Sequence, residues 1–354
     1  MNIRNIGNSV YFKGIQQSIP NIFAPFSSKN CSQIKEITPL QSGVSTIVPK
    51  NSQLRLGNDY SLNIRNPKIQ DVLDKKGSII IGTSPEANIS IPTFYNKVNN
   101  QHLQLEQQGT KVIARNLSTT YGTEIIPKDK IKAFQVSTKN LKLAQGEIGD
   151  CFVLATLYSL SQTPNGQKII EDMVKVDDNG NHIVTFKNQK PITITLGELD
   201  SERETTAKDW ACGEMGTKAI ERAYAKLIKT NQSMCNSIEI DKGGRIVDAL
   251  KLMTDKKCDM YEIKEMEIDS LLTDIENKGL GNQFITCSTP HIGKYGKFMD
   301  SASKFITGHA YSIKNINIKD KTIEIVNPHN TKKSETISWD DFKTMFEYIY
   351  IANI

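Results

Sequence analysis

The chain has 354 residues, of which 38% are hydrophobic and 23% charged, and its formal net charge is +5. This is the balance of a soluble protein, and the length exceeds one ordinary domain, so two folded units are expected. No stretch concentrates Lys and Arg into a nucleic-acid track, and no apolar run reaches the roughly 18 residues needed to cross a bilayer. Six cysteines, at positions 31, 151, 212, 235, 258 and 287, form no CxxC pair and no zinc-ligand spacing. A disulfide scaffold is not expected in a chain able to bury a large core.

Residues 1–66 are rich in Asn, Ser and Gln, and Pro20, Pro25, Pro39 and Pro49 interrupt any long element. They read as an extended or partly disordered N-terminal arm with one or two short strands. Its first 25 residues lack the continuous apolar core of a conventional signal peptide. The expectation is a soluble protein, either cytoplasmic or exported to a host cell by another route.

From 67 to 136 the pattern changes to short β-rich runs at 78–81, 102–106 and 111–114, separated by Gly82, Asn99-Asn100 and Gln108-Gly109. That spacing predicts a small all-β sandwich. The order of Gly82, His102 and the Asn116–Thr123 stretch, ending in Gly122-Thr123, resembles a forkhead-associated domain. The resemblance implies loops at one end of the sandwich that bind phosphothreonine peptides. Thr83, however, stands where that family has Arg, Asn99 where it has the phosphate-binding Ser, Asn100 where it has a second Arg, and Tyr121 where it has Asn. Without the forked guanidinium, bidentate phosphate binding is weakened, so protein docking or a structural role is the expectation for the sandwich.

Residues 140–354 form the larger unit. The run from Cys151 to Leu160 is apolar all round, as in a helix through the centre of a domain. Asp177 to Asn181 reads as a hairpin turn; its Gly180 and Asn188 are wrongly placed for a calcium loop. Trp210, Met215, Ala219, Ile220, Ala223, Tyr224 and Leu227 fall at helical spacing, predicting one amphipathic helix across that span. Gly243-Gly244 marks a tight loop before a helix with Val247, Leu250 and Met253, and strand signals dominate after 283. Helices first and antiparallel strands last predict an α+β domain in two lobes.

The chemistry sits at three places. Gln145-Gly146-Glu147-Ile148-Gly149-Asp150-Cys151 puts a thiol at a helix start, where free N–H groups and the positive dipole end lower its pKa. Gly308-His309-Ala310-Tyr311 puts an imidazole at the start of a strand, and Asn327-Pro328 ends the next strand, so a hairpin brings the two together. His309 is the candidate general base and acid, and Asn327 the residue that orients it. The Gln145 amide and the Cys151 N–H are candidate oxyanion donors, worth roughly 3 kcal/mol each in comparable sites.

These segments, with the Trp210–Leu227 span and Gly243-Gly244 in the same order, resemble the protease core of calpains, in the papain-like superfamily. The resemblance covers residues 140–354 and implies a cysteine endopeptidase acting on protein substrates, with Cys151 as nucleophile. Phe152 and His329 stand where calpains carry Trp. The family's acidic calcium loops are not matched, so no cofactor is required by the sequence and calcium dependence is doubtful. Two other readings stay open: acyl transfer or glutamine deamidation by the same groups, and an inactive scaffold that docks a partner.

Overall fold

Alternating side chains such as Gln53-Leu54-Arg55-Leu56 give each strand one apolar face, and two such faces must be buried against each other. The computed structural model describes residues 37–49, 52–57, 60–127, 141–177, 180–199, 210–230, 240, 243–265, 267–290 and 305–354, all within one compact unit spanning 31–354. Its first part is a sandwich of two sheets. One runs in the order Thr38–Leu40, Thr123–Ile126, Gln53–Leu56, Tyr60–Asn63; the other in the order Ser45–Val48, Lys111–Asn116, Leu103–Gln108, Ser78–Gly82, Ile89–Ser90. Leu54, Leu56, Leu62 and Ile125 meet Ile79, Ile81, Leu103 and Leu105 between them.

The sandwich therefore begins near residue 38, not at 67, and takes four strands from the segment assigned to the arm. The prolines that argued against strands there occupy places where they cost nothing. Pro39 lies in an edge strand, and Pro49 follows the last residue of another. The rest of the arm, residues 1–36, lies outside the described residues. A helix not anticipated from the pattern, Pro67–Lys76, bridges the two halves of the sandwich. Asn66 caps it by accepting from the Lys68 N–H, Pro67 opens it, and Gly77 at φ +72° ends it. Its buried Ile69 and Leu73 join the sandwich core.

The loops at one end of the sandwich hang on His102. The buried ring accepts the Asn99 N–H at Nδ1 (3.0 Å) and approaches the Gly122 carbonyl at Nε2 (3.4 Å). Burial pushes its pKa down.

In the larger part the helix Cys151–Ser161 is buried from Phe152 onward. Helices Pro164–Met173, Met215–Thr230 and Ile246–Thr254 pack around it, with a three-stranded sheet of Val174–Val176, His182–Val184 and Ile192–Ile194. The turn expected at Asp177 joins the first two of these strands, with the Asp177 carboxylate accepting from the Asn181 N–H and side-chain amide. Trp210 is not in the helix, which starts at Met215. The segment before it is held extended, because Cys212–Gly213 pairs with Leu143–Ala144, and the Trp210 ring instead lies beneath the Arg222 guanidinium, 5.0 Å from its centroid.

The second lobe is a six-stranded antiparallel sheet in the order Asp259–Glu262, Tyr348–Asn353, Gln283–Ser288, Ala310–Asn317, Thr322–Val326, Glu335–Ser338. Alternate residues face opposite cores. Phe284 and Ala310 join the helical core, while Ile285 and Tyr311 join a second core with Leu272, Ile275 and Phe342 from helices Ile268–Lys278 and Trp339–Met345. A sheet buried on both faces gives the site a rigid backing.

Candidate active site

The helix Cys151–Ser161 and the strand Ala310–Asn317 lie side by side in a fixed register. Ser312 Oγ donates to the Ala155 carbonyl at 2.8 Å. Four helical residues rise about 6 Å and two strand residues nearly 7 Å, so going back from that bond brings Cys151 level with Ala310. The Ala310 N–H accordingly faces the Cys151 sulfur, with His309 as the next residue. Gly308, at φ +61°, makes the turn into the strand. Thr289 fixes the His309 backbone on both sides: its Oγ accepts the His309 N–H, and its own N–H donates to the His309 carbonyl, each at 3.0 Å.

The hairpin places Asn327 just past the strand Thr322–Val326, and His309 Nε2 lies 2.9 Å from Asn327 Oδ1. The same oxygen accepts the His329 N–H at 2.9 Å. Tyr311 meets the His309 ring edge-on and His329 stacks on it. Gln145 is brought to this hairpin through its backbone, whose N–H donates to the Pro328 carbonyl at 2.8 Å. Its side-chain amide donates to the Ile148 carbonyl at 2.7 Å, which uses one of its two hydrogens. Its Oε1 is buried without a hydrogen-bond partner.

The electrostatics differ from the expectation of a thiol lowered by the helix start. The N–H groups of Ala310, Phe152 and Cys151 do favour the thiolate, but burial outweighs them and pushes the thiol up to about 11. Burial also pushes the His309 imidazole down to about 4, against the Asn327 bond that favours the charged ring. Burial thus opposes charge on each of the two groups.

The Asp150 side chain makes no cap bond at the helix start. Its carboxyl is fully buried against Glu221, in a cluster the sequence reading missed. Glu221 accepts from the Ala211 N–H (2.9 Å) and from Arg222 Nη1 (3.3 Å). Burial, then the neighbouring Glu221 charge, raise the Asp150 pKa well above the usual carboxylate range. An Asp150 carboxyl that keeps its proton can donate it to Glu221, and this gives one of its two otherwise unpartnered oxygens a hydrogen bond. The available signal was charge at two positions, 221 and 222, within an otherwise apolar helical stripe.

Among the described residues, no three His, Cys, Asp or Glu side chains converge to hold a metal ion.

A family model described as calpain family cysteine protease matches residues 100–350. The chain belongs to the calpain family of cysteine proteases. Calpain-A of Drosophila melanogaster is 28% identical over 204 residues, 53% of this chain and 22% of that protein. The calpain-1 catalytic subunit of Gallus gallus is 23% identical over 225 residues, 58% of this chain and 30% of that protein. The chain thus spans under a third of the length of these curated relatives. Where calpains have Trp after the cysteine, Phe152 packs edge-on against Tyr224 at 5.8 Å. It also covers Gly244 so closely that a Cβ there would lie 2.4 Å from its ring.

Proposed function

We propose that the chain is a cysteine endopeptidase in which Cys151, His309, Asn327 and Gln145 act together. As Cys151 Sγ attacks the scissile carbonyl, its proton passes to His309 Nδ1 and the carbonyl electrons move to oxygen. The Cys151 N–H and the free hydrogen of the Gln145 amide stabilise that oxyanion. Collapse breaks the C–N bond, the imidazolium protonates the leaving amine, and a thioester remains. His309 then takes a proton from water, which attacks the thioester and restores the thiol. Because burial disfavours both the thiolate and the imidazolium, proton transfer accompanies attack and does not precede it.

The observation that carries this reading is the joint placement of the His309–Asn327 bond and the Ala310 N–H against the Cys151 sulfur. The sandwich serves as a docking or structural module. Its loop-end cleft, lined by Ser84, Asn96, Asn99, Asn100, Gln101 and Tyr121, carries Glu86 and no Lys or Arg. Thr83 Oγ is spent on the Asn100 side chain. That lining speaks against a phosphate dianion.

The test is incubation with an unstructured protein, comparing the intact chain with Cys151→Ala by mass spectrometry. Specific internal cuts that need the thiol are expected. Equal cutting by both proteins would remove the proteolytic assignment. An uncut product about one dalton heavier, or one joined to an added amine, would point to deamidation or acyl transfer. A chain that is folded but inert in every assay would point to a docking scaffold.

A further inference from the structure

The strand that leads to Gln145 is gripped along both edges, and both grips end on adjacent residues of the sandwich. On one edge, Leu143 and Ala144 pair with Gly213 and Cys212. On the other, Thr331 donates its N–H to the Leu143 carbonyl (3.0 Å) and accepts the Leu143 N–H at Oγ (2.9 Å), while Gln145 donates its N–H to Pro328. The 328–331 turn directly follows Asn327.

Tyr95 closes the first edge. Its hydroxyl donates to the Gly213 carbonyl and accepts the Gly213 N–H, both at 2.7 Å, and the side chain is almost wholly buried. A Cβ at residue 213 would lie 2.9 Å from the Lys142 carbonyl, so glycine lets the strands close here. Phe94 closes the second edge. Lys332 Nζ donates to the Phe94 carbonyl and sits 4.0 Å from the centroid of the Phe94 ring. Phe94 and Tyr95 themselves pack edge to face, 5.3 Å apart, and belong to the sandwich, where Tyr95 is part of the core.

We propose that Tyr95, and the Phe94 contact with Lys332, are positioning elements of the peptidase: through them the β-sandwich sets the placement of Gln145 and of the turn after Asn327. This rests on the oxyanion role given to Gln145 above. Oxyanion stabilisation is steep in geometry, since a misplacement of about 1 Å can cost a hundredfold in rate. Alkylation of a thiol by iodoacetamide forms no tetrahedral oxyanion, so it reports Cys151 without using Gln145.

The experiment uses the full chain with Tyr95→Phe, Lys332→Met, Lys332→Arg, Gln145→Ala and the double variant Tyr95→Phe/Gln145→Ala. Tyr95→Phe is expected to lower kcat roughly tenfold and to lower the thermal midpoint, because the Gly213 N–H and carbonyl lose their partner, while KM and the iodoacetamide rate stay near those of the parent. Lys332→Met should do the same to a smaller degree, and Lys332→Arg should restore it. In the Gln145→Ala background, Tyr95→Phe should have no further effect.

If Gln145→Ala lowers kcat but Tyr95→Phe does not, or if the two losses multiply, the positioning proposal is overturned and the oxyanion assignment stands. Parallel losses of kcat and alkylation would also overturn it, as they mark general loosening. If Gln145→Ala leaves kcat intact, the oxyanion assignment itself fails and takes this proposal with it.

Discussion

His329 lies flat on His309, with ring centroids 5.1 Å apart and planes 13° from parallel. It occupies the position where calpains carry Trp and, unlike an indole, can take up a proton. A charge on the exposed His329 ring disfavours imidazolium at His309, the form that protonates the leaving amine in the proposed mechanism. His329→Trp should therefore keep more of its kcat/KM as the pH falls below neutral, while matching the parent within about twofold at pH 8. Superimposable pH–rate profiles would show that the stack carries no electrostatic effect.

Burial of both groups makes a second expectation. With the thiol near 11 and the imidazole near 4, alkylation of Cys151 should climb by up to about tenfold per pH unit between pH 7 and 10, tracking the thiolate fraction. The check is the iodoacetamide rate against pH. A plateau from pH 5 to 8 that disappears in His309→Ala would mean a preformed thiolate–imidazolium pair.

The protonated Asp150 makes stability depend on pH with a definite sign. Its folded pKa is raised, so the proton is held in the fold but lost from the unfolded chain above about pH 4. The stabilisation is complete below the unfolded value and is lost as the pH rises toward the folded one. Asp150→Asn keeps a neutral donor toward Glu221 without this penalty. It should gain on the parent by up to about 1.4 kcal/mol for each pH unit above 4, read from denaturant unfolding at pH 5 and 7. Parallel pH dependence in the two proteins would mean that Asp150 ionises in the fold.

Gly244 is a steric prediction. A methyl there meets the ring of Phe152, the neighbour of Cys151 in the chain. Gly244→Ala should cost about 1–3 kcal/mol of stability and slow peptide cleavage, because the start of the helix must move. Pairing it with Phe152→Leu, which removes the obstructing ring, should recover part of the stability. No recovery would mean that the loop, not the ring, sets the cost.

What could be read before the fold was known followed from periodicity. Cys151 to Leu160 is apolar on every face, and the helix is buried from Phe152 on. The His309 and Asn327 runs alternate as strands, and their side chains meet. Local chemistry that depends on partners distant in sequence was not legible. Nothing in the Asn- and Ser-rich stretch before residue 66 announces that Leu54 will pair beside Ile125 and share a core with Leu105. Nothing near Asp150 names Glu221 as its neighbour. One signal was present and went unread: Asn66-Pro67, apolar residues four apart at 69 and 73, then Gly77, spell a capped helix.

The amide orientation of Asn327 follows from the His329 backbone N–H, which needs an acceptor and so must face the oxygen. That oxygen can receive only a proton-bearing nitrogen from His309, which puts the ring hydrogen on Nε2 and the lone pair on Nδ1. In the proposed mechanism the imidazole thus starts each cycle in the tautomer that can accept a proton from sulfur, and no tautomeric exchange has to come before bond making.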